Sequence, residues 1–198
     1  MTLVEAIRHA TKEGAGLHIY DGDNCALRLD EVKKALLKCC WLECTPNEEV
    51  AKEFGHIKEA SFFVYDDRYA VFGKTKIPNP KEPSDLVWAK ALIMPETIAY
   101  AIKKATEEHY GLSYYSSPAN FSMTKAEEAL VKCGWVAFEP SKKVRKAYAN
   151  IENVSFYERG DMFALTGNQF IPVTDFTGKR YKECKSLLII NYKERFAD

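Results

Sequence analysis

Apolar residues recur along the chain with two periods, one near 3.6 and one of two, and the same succession of periods returns about 94 residues later. Leu3, Ala6, Ile7 and Ala10 lie three and four apart, which predicts a helix over residues 3 to 13. Ile98, Ala101, Ile102 and Ala105 repeat that face and predict a helix over 97 to 109. Gly16 and Gly111 end these regions, as expected where a left-handed or tight turn is required. Short strands follow at Leu17 to Tyr20 and Leu112 to Tyr115, then polar loops, Asp21-Gly22-Asp23-Asn24 and Ser116-Ser117-Pro118-Ala119-Asn120. A second helix is predicted to start at Asp30 and at Thr124, with Glu127 placed to complete a capping box. Val32, Ala35, Leu36 and Cys39 form its inner face, and Ala126, Ala129, Leu130 and Cys133 repeat it.

Trp41 to Cys44 and Trp135 to Phe138 are short enough for a strand or an extended connector. A third helix opens with Thr45-Pro46-Asn47-Glu48, where Thr45 reads as the cap and Pro46 as the first helical residue; of this, Glu139-Pro140-Ser141-Lys142 keeps only the proline. Strands at 60–65 and 68–73, and at 154–158 and 162–166, form hairpins that finish at Gly73 and Gly167. Final strands, Lys90 to Met94 and Ser186 to Asn191, are reached through loops holding Pro78, Pro80 and Pro83, or Pro172 and Gly178. The order α-β-α-β-α-β-β-β predicts an α+β fold with helices packed on a mixed or antiparallel sheet.

The two passages also match residue by residue. From 39 to 73, 11 of 35 positions are identical to those 94 residues later, among them Trp41 with Trp135, Val50 with Val144 and Gly73 with Gly167. Unrelated segments would share about two. Unmatched positions keep their character, as in Leu42 with Val136 and Phe54 with Tyr148, which reads as retained core volume. The chain is therefore expected to be a tandem duplication, with repeats at 1–95 and 96–198. The junction Met94-Pro95-Glu96-Thr97 has no Gly/Ser stretch, so a packed pseudo-twofold pair is expected.

Charge narrows the list of partners. The 28 Lys and Arg balance 28 Asp and Glu, so no global field draws the protein to nucleic acid or an anionic bilayer. Met1 to Arg8 does not read as a secretory signal, and no apolar run approaches the roughly 20 residues that span a membrane. Six cysteines without a scaffold-like density read as free, mostly buried thiols in a reducing cytoplasm.

Candidate chemistry is sparse. His9, His18, His56 and His109 have no histidine counterpart in the other repeat. Cys39-Cys40-x3-Cys44 lacks zinc-site spacing; a site there would draw on Cys40 and Cys44 with Cys25 or His56. Asp21, Asp23 and Asn24 lack the calcium-loop continuation, and Asp66-Asp67 reads as a hairpin tip. Phosphate-loop, dinucleotide, Gly-x-Ser-x-Gly and His-Glu-x-x-His motifs are missing, so no metal or cofactor is expected. The third helix differs most between repeats: the first carries Glu48, Glu49, Lys52 and Glu53, and the second Lys142, Lys143, Arg145 and Lys146. Tyr110, Tyr114, Tyr115 and Phe121 surround the polar loop of the second repeat.

These features favour a non-enzymatic, cytoplasmic protein-binding or regulatory module, with Lys142, Lys143, Arg145, Lys146, Tyr110, Tyr114 and Tyr115 as partner-binding candidates. One alternative is a small enzyme with a site between the repeats built from His18, Asp21, Asp23 and Tyr115. Another is nucleic-acid binding through residues 142–146.

Overall fold

The computed structural model describes residues 1–21, 27–115, 122–175 and 178–191, without the side chains of 115, 172–175 and 178–182. The chain divides into two compact units, Met1–Thr97 and Ile98–Asp198. The described residues form six helices and two five-stranded antiparallel sheets, an α+β arrangement.

The first unit runs α1 (Leu3–Glu13), β1 (Leu17–Asp21), α2 (Leu29–Lys38), β2 (Leu42–Cys44), α3 (Glu48–Glu53), β3 (Lys58–Tyr65), β4 (Arg68–Pro78) and β5 (Leu86–Met94), with sheet order β1-β5-β4-β3-β2. A capping box starts α1: the Glu5 amide donates to Thr2 Oγ1 at 3.2 Å and the Thr2 amide to Glu5 Oε2 at 2.7 Å. Ile7 and Ala10 of α1 and Val32 and Leu36 of α2 pack with Trp41 on Phe63, Phe72, Leu92 and Met94 of the sheet. That apolar face is what holds both helices to the strands.

The second unit runs α4 (Ile98–Glu108), β6 (Leu112–Tyr115), α5 (Met123–Lys132), β7 (Val136–Ala137), α6 (Lys142–Ala147), β8 (Ile151–Arg159), β9 (Met162–Asp175) and β10 (Gly178–Asn191), ordered β6-β10-β9-β8-β7. Ile102, Leu130 and Trp135 pack with Ala164, Leu187 and Ile189. A second cluster joins Val144 and Tyr148 to Phe156, Phe163, Leu165 and Leu188, so α6 covers other sheet residues than α4 and α5 do.

The two-sheet layout fits a duplicated module, and finer details agree. The described residues with positive φ fall into four matched pairs: Gly14 with His109, Cys40 with Gly134, Glu59 with Asn153, and Asp66 with Gly160. Trp41 Nε1 donates to Thr11 Oγ1 at 2.7 Å, which donates to Ile7 O; Trp135 Nε1 donates to Thr106 Oγ1 at 2.9 Å, which donates to Ile102 O. A Cβ on Gly73 would sit 2.5 Å from Ile57 Cγ2 and 2.7 Å from Lys58 O. On Gly167 it would strike Ile151 Cγ2 and Glu152 O in the same way. Both glycines lie where the neighbouring strand shifts register, between Lys58 and Ser61 or between Glu152 and Ser155.

Several local expectations are corrected. Asn47 and Ser141, not Thr45, cap the third helices by accepting from the Val50 and Val144 amides, so each proline precedes the cap. Ser122 rather than Thr124 caps α5, and Glu127 accepts from Thr166 Oγ1 at 3.2 Å instead of closing a box. Arg28 rather than Asp30 occupies the α2 cap position; its side chain caps no amide and donates instead to Asp30 Oδ1 at 3.2 Å. The left-handed residues after α1 and α4 are Gly14 and His109, not Gly16 and Gly111. β4 and β9 run through Gly73 and Gly167 to Pro78 and Asp175, so Pro172 and Gly178 lie in a long hairpin rather than a loop. Leu42 and Val136 are exposed, not core.

Candidate functional site

Residues singled out for enzyme chemistry have structural surroundings. His18 is exposed on the edge strand β1, opposite Ile93 and edge-on to Tyr20 at 6.3 Å between ring centres. Asp21 Oδ2 accepts from the Leu27 amide at 2.6 Å and so holds the chain where it re-enters the core. Asp23, with Cys25 and Asn24, lies outside the described residues. Tyr115 belongs to the second unit, paired with Ser186, and its side chain is outside the description.

The described thiols are free, as expected, but fewer are buried than expected: Cys39 and Cys184 are buried, Cys44 and Cys133 half-buried, and Cys40 is exposed. Burial pushes the Cys39, Cys44 and Cys133 thiols up, which keeps them protonated and weakly nucleophilic near neutral pH. Among the described residues, no three His, Cys, Asp or Glu side chains converge as metal ligands.

The second unit carries an open cavity of about 250 Å³ between the end of α6 and the sheet, lined by Ser113, Tyr148, Asn150, Gln169, Leu188 and Ile190 among others. Among the described residues its lining holds no carboxylate, imidazole, thiol or ammonium group, and Tyr148 brings a phenol hydroxyl to it.

The charged helices present their side chains outward. Val144, 1% exposed, anchors α6, leaving Lys142, Lys143, Arg145 and Lys146 exposed around it, with Arg145 ion-paired to Glu139. On α3, Val50 is buried while Glu48, Glu49 and Lys52 are exposed. Tyr110 and Tyr114 are half-buried against the core of the second unit, so each offers only part of its ring. Phe121 lies outside the described residues.

Two pairs of apolar side chains stand out because they are exposed in both units. Leu37 is 47% exposed and its counterpart Val131 60%; Leu42 is 62% exposed and its counterpart Val136 63%. In each unit the two positions flank one short turn of the chain. Leu37 and Val131 lie in the last turns of α2 and α5, and Leu42 and Val136 open the edge strands β2 and β7. Between them the Trp41 amide bonds to Leu36 O and the Trp135 amide to Leu130 O, both at 3.0 Å, turning the chain back on the helix end.

Neither family models, curated proteins nor solved structures match this chain. Its site must therefore be read from its own surfaces. The exposed matched pairs carry no signal of their own in the sequence, where retained apolar character predicts burial. A second surface, Lys74, Lys76, Trp88 and Lys90, lies where β4 continues past Gly73 to Pro78 and β5 begins at Leu86, ahead of the start expected at Lys90. The alternations Lys74-Thr75-Lys76 and Trp88-Ala89-Lys90 are its signal in the sequence.

Proposed function

We propose that the chain is a non-enzymatic protein-binding module made of two diverged copies of one unit, 1–95 and 96–198, each presenting an apolar contact at the end of its second helix and the start of its edge strand. The observation that carries this reading is the matched exposure of Leu37 with Val131 and Leu42 with Val136. Surface charge has reversed between α3 and α6, yet these four solvent-facing positions stay apolar, at a cost in solubility that an interface would offset. Free thiols at the described cysteines support action in a reducing cytoplasm. The exposed cations of α6 supply a polar rim suited to an acidic protein face.

Leu42→Lys combined with Val136→Lys tests the reading. Both residues are more than half exposed, so the variant should keep the wild-type circular dichroism and melting temperature while losing the partners that co-purify with wild type. An unchanged set of partners at unchanged affinity would overturn the proposal.

A further inference from the structure

The first unit carries a second surface, independent of the matched apolar pairs. In β4, Ala70 and Phe72 are buried beneath α1 and α2, but Lys74 and Lys76, next on the same face, emerge beyond the helices. In β5 the same face runs outward from Leu92 through Lys90 to Trp88. Register makes the pattern unusual: Lys58 is opposite Lys74, and Lys74 is opposite Lys90, a row of three cations across three adjacent strands spanning about 10 Å. One step along, Lys76 is opposite Trp88, which is 51% exposed and has the Lys76 ammonium 5.5 Å from a ring centre.

Like charges directly opposite one another on a sheet are destabilising. Among the described residues two carboxylates lie on this row: Glu59 pairs with Lys74 at 2.7 Å, and Asp21, opposite Lys90, also accepts from the Leu27 amide, so the four lysines keep an excess of positive charge. The second unit abandons the arrangement, with Glu152, Asn168 and Lys185 in the row and Phe170 opposite Glu183. The row thus answers no requirement of the fold.

We infer that this face of β3, β4 and β5 binds single-stranded nucleic acid, with a base stacked on Trp88 and phosphates along Lys58, Lys74 and Lys90. Charge complementarity selects an anionic occupant, and the exposed indole beside the cations selects one that alternates flat rings with anions. An acidic polypeptide would use the lysines and leave the indole without a role. α6 offers four cations but no comparable ring, since its Tyr148 is only 6% exposed.

Trp88 provides its own readout, because Trp41 and Trp135 are buried. The full chain is titrated with fluorescein-labelled rU12 and dT12 by anisotropy, and with unlabelled rU12 by tryptophan quenching. Binding should weaken with salt at a slope near −2, about 0.7 per phosphate for three phosphates. Trp88→Ala should weaken it roughly 5- to 150-fold and abolish the quenching, while Trp88→Phe retains most of the affinity. Lys58→Ala/Lys74→Ala/Lys90→Ala should flatten the salt slope, whereas the charge-neutral Leu42→Ser/Val136→Ser should change nothing. No binding at low salt, equal affinity for a duplex, or equal affinity for a twelve-residue glutamate peptide without quenching would each overturn the inference.

Discussion

Replacing Arg68 by Met, the residue at the matched position 162, should destabilise the first unit by about 3 kcal/mol although the second unit thrives on methionine there. Arg68 begins β4 and reaches four carbonyls: Nη1 donates to Ala10 O at 3.0 Å and Thr11 O at 3.3 Å, Nη2 to Ala15 O at 3.0 Å and Pro95 O at 3.2 Å. Its guanidinium also lies 5.7 Å over the Trp41 ring. Two of those acceptors are orphan carbonyls at the end of α1, where a cation also opposes the helix dipole. In the second unit the carbonyl equivalent to that of Ala10, Ala105 O, is filled by the Tyr110 amide at 3.2 Å, and Met162 joins the apolar core. Bonds from a charged donor contribute about 1.5–3 kcal/mol each, but they are not additive, and water can reach a helix end. Burial lowers the Arg68 pKa, a desolvation cost that methionine removes, and Met would gain contact with Trp41. About 2–4 kcal/mol remains after these offsets. Urea unfolding followed by tryptophan fluorescence reads this directly, as a midpoint lowered by about 2 M for a unit of this size. Arg68→Lys, one point charge in place of a fork, should fall between. A methionine variant within about 0.5 kcal/mol of wild type would show that the carbonyl cluster is solvated at no cost and refute the reasoning.

Thr11→Val and Thr106→Val keep side-chain shape but strand the Trp41 and Trp135 indole N–H groups, and each should cost about 1–3 kcal/mol in urea unfolding. Gly73→Ala and Gly167→Ala should each cost about 2 kcal/mol or more by thermal or urea unfolding, since the new methyl meets backbone as well as an isoleucine methyl. Native thiol labelling read by peptide mass spectrometry should modify Cys40 well before Cys39 and Cys184. Folding raises the Cys39 and Cys133 pKa values above those of the unfolded chain, so their contribution to stability is complete below the unfolded thiol value of about 8.5 and falls as pH rises through the folded value; urea midpoints between pH 8 and 10 should show the decline.

Much of the architecture was legible because it rests on periodicity. The helical faces at Ile7, Leu36, Ile102 and Leu130, and the two tryptophans, all reached the core their spacing assigned. Caps were misplaced because Thr45-Pro46-Asn47 and Ser122-Met123-Thr124 each offer two capping side chains, and geometry alone decides which aligns with the first free amides. Strand ends were drawn short at Gly73 and Gly167, where glycine reads as a terminator; it is there because Ile57 and Ile151 leave no room for a Cβ. The outer part of β4 lies beyond Gly73, and that of β5 precedes the start expected at Lys90, so Lys76 and Trp88 fall outside both predicted strands. The matched exposed pairs were hidden differently. An apolar residue retained in two copies has the same sequence signature whether it is buried or presented to a partner, and only its accessible surface separates Leu42 from Trp41.

The most direct test of the protein-binding account is site-specific photo-crosslinking in cells, with a photoreactive amino acid placed singly at 42, at 136 and, as an exposed control on the same sheets, at 59 and 152. The account predicts discrete, reproducible adducts from 42 and 136 that are missing from 59 and 152. Adducts that are equally diffuse at all four positions would contradict it.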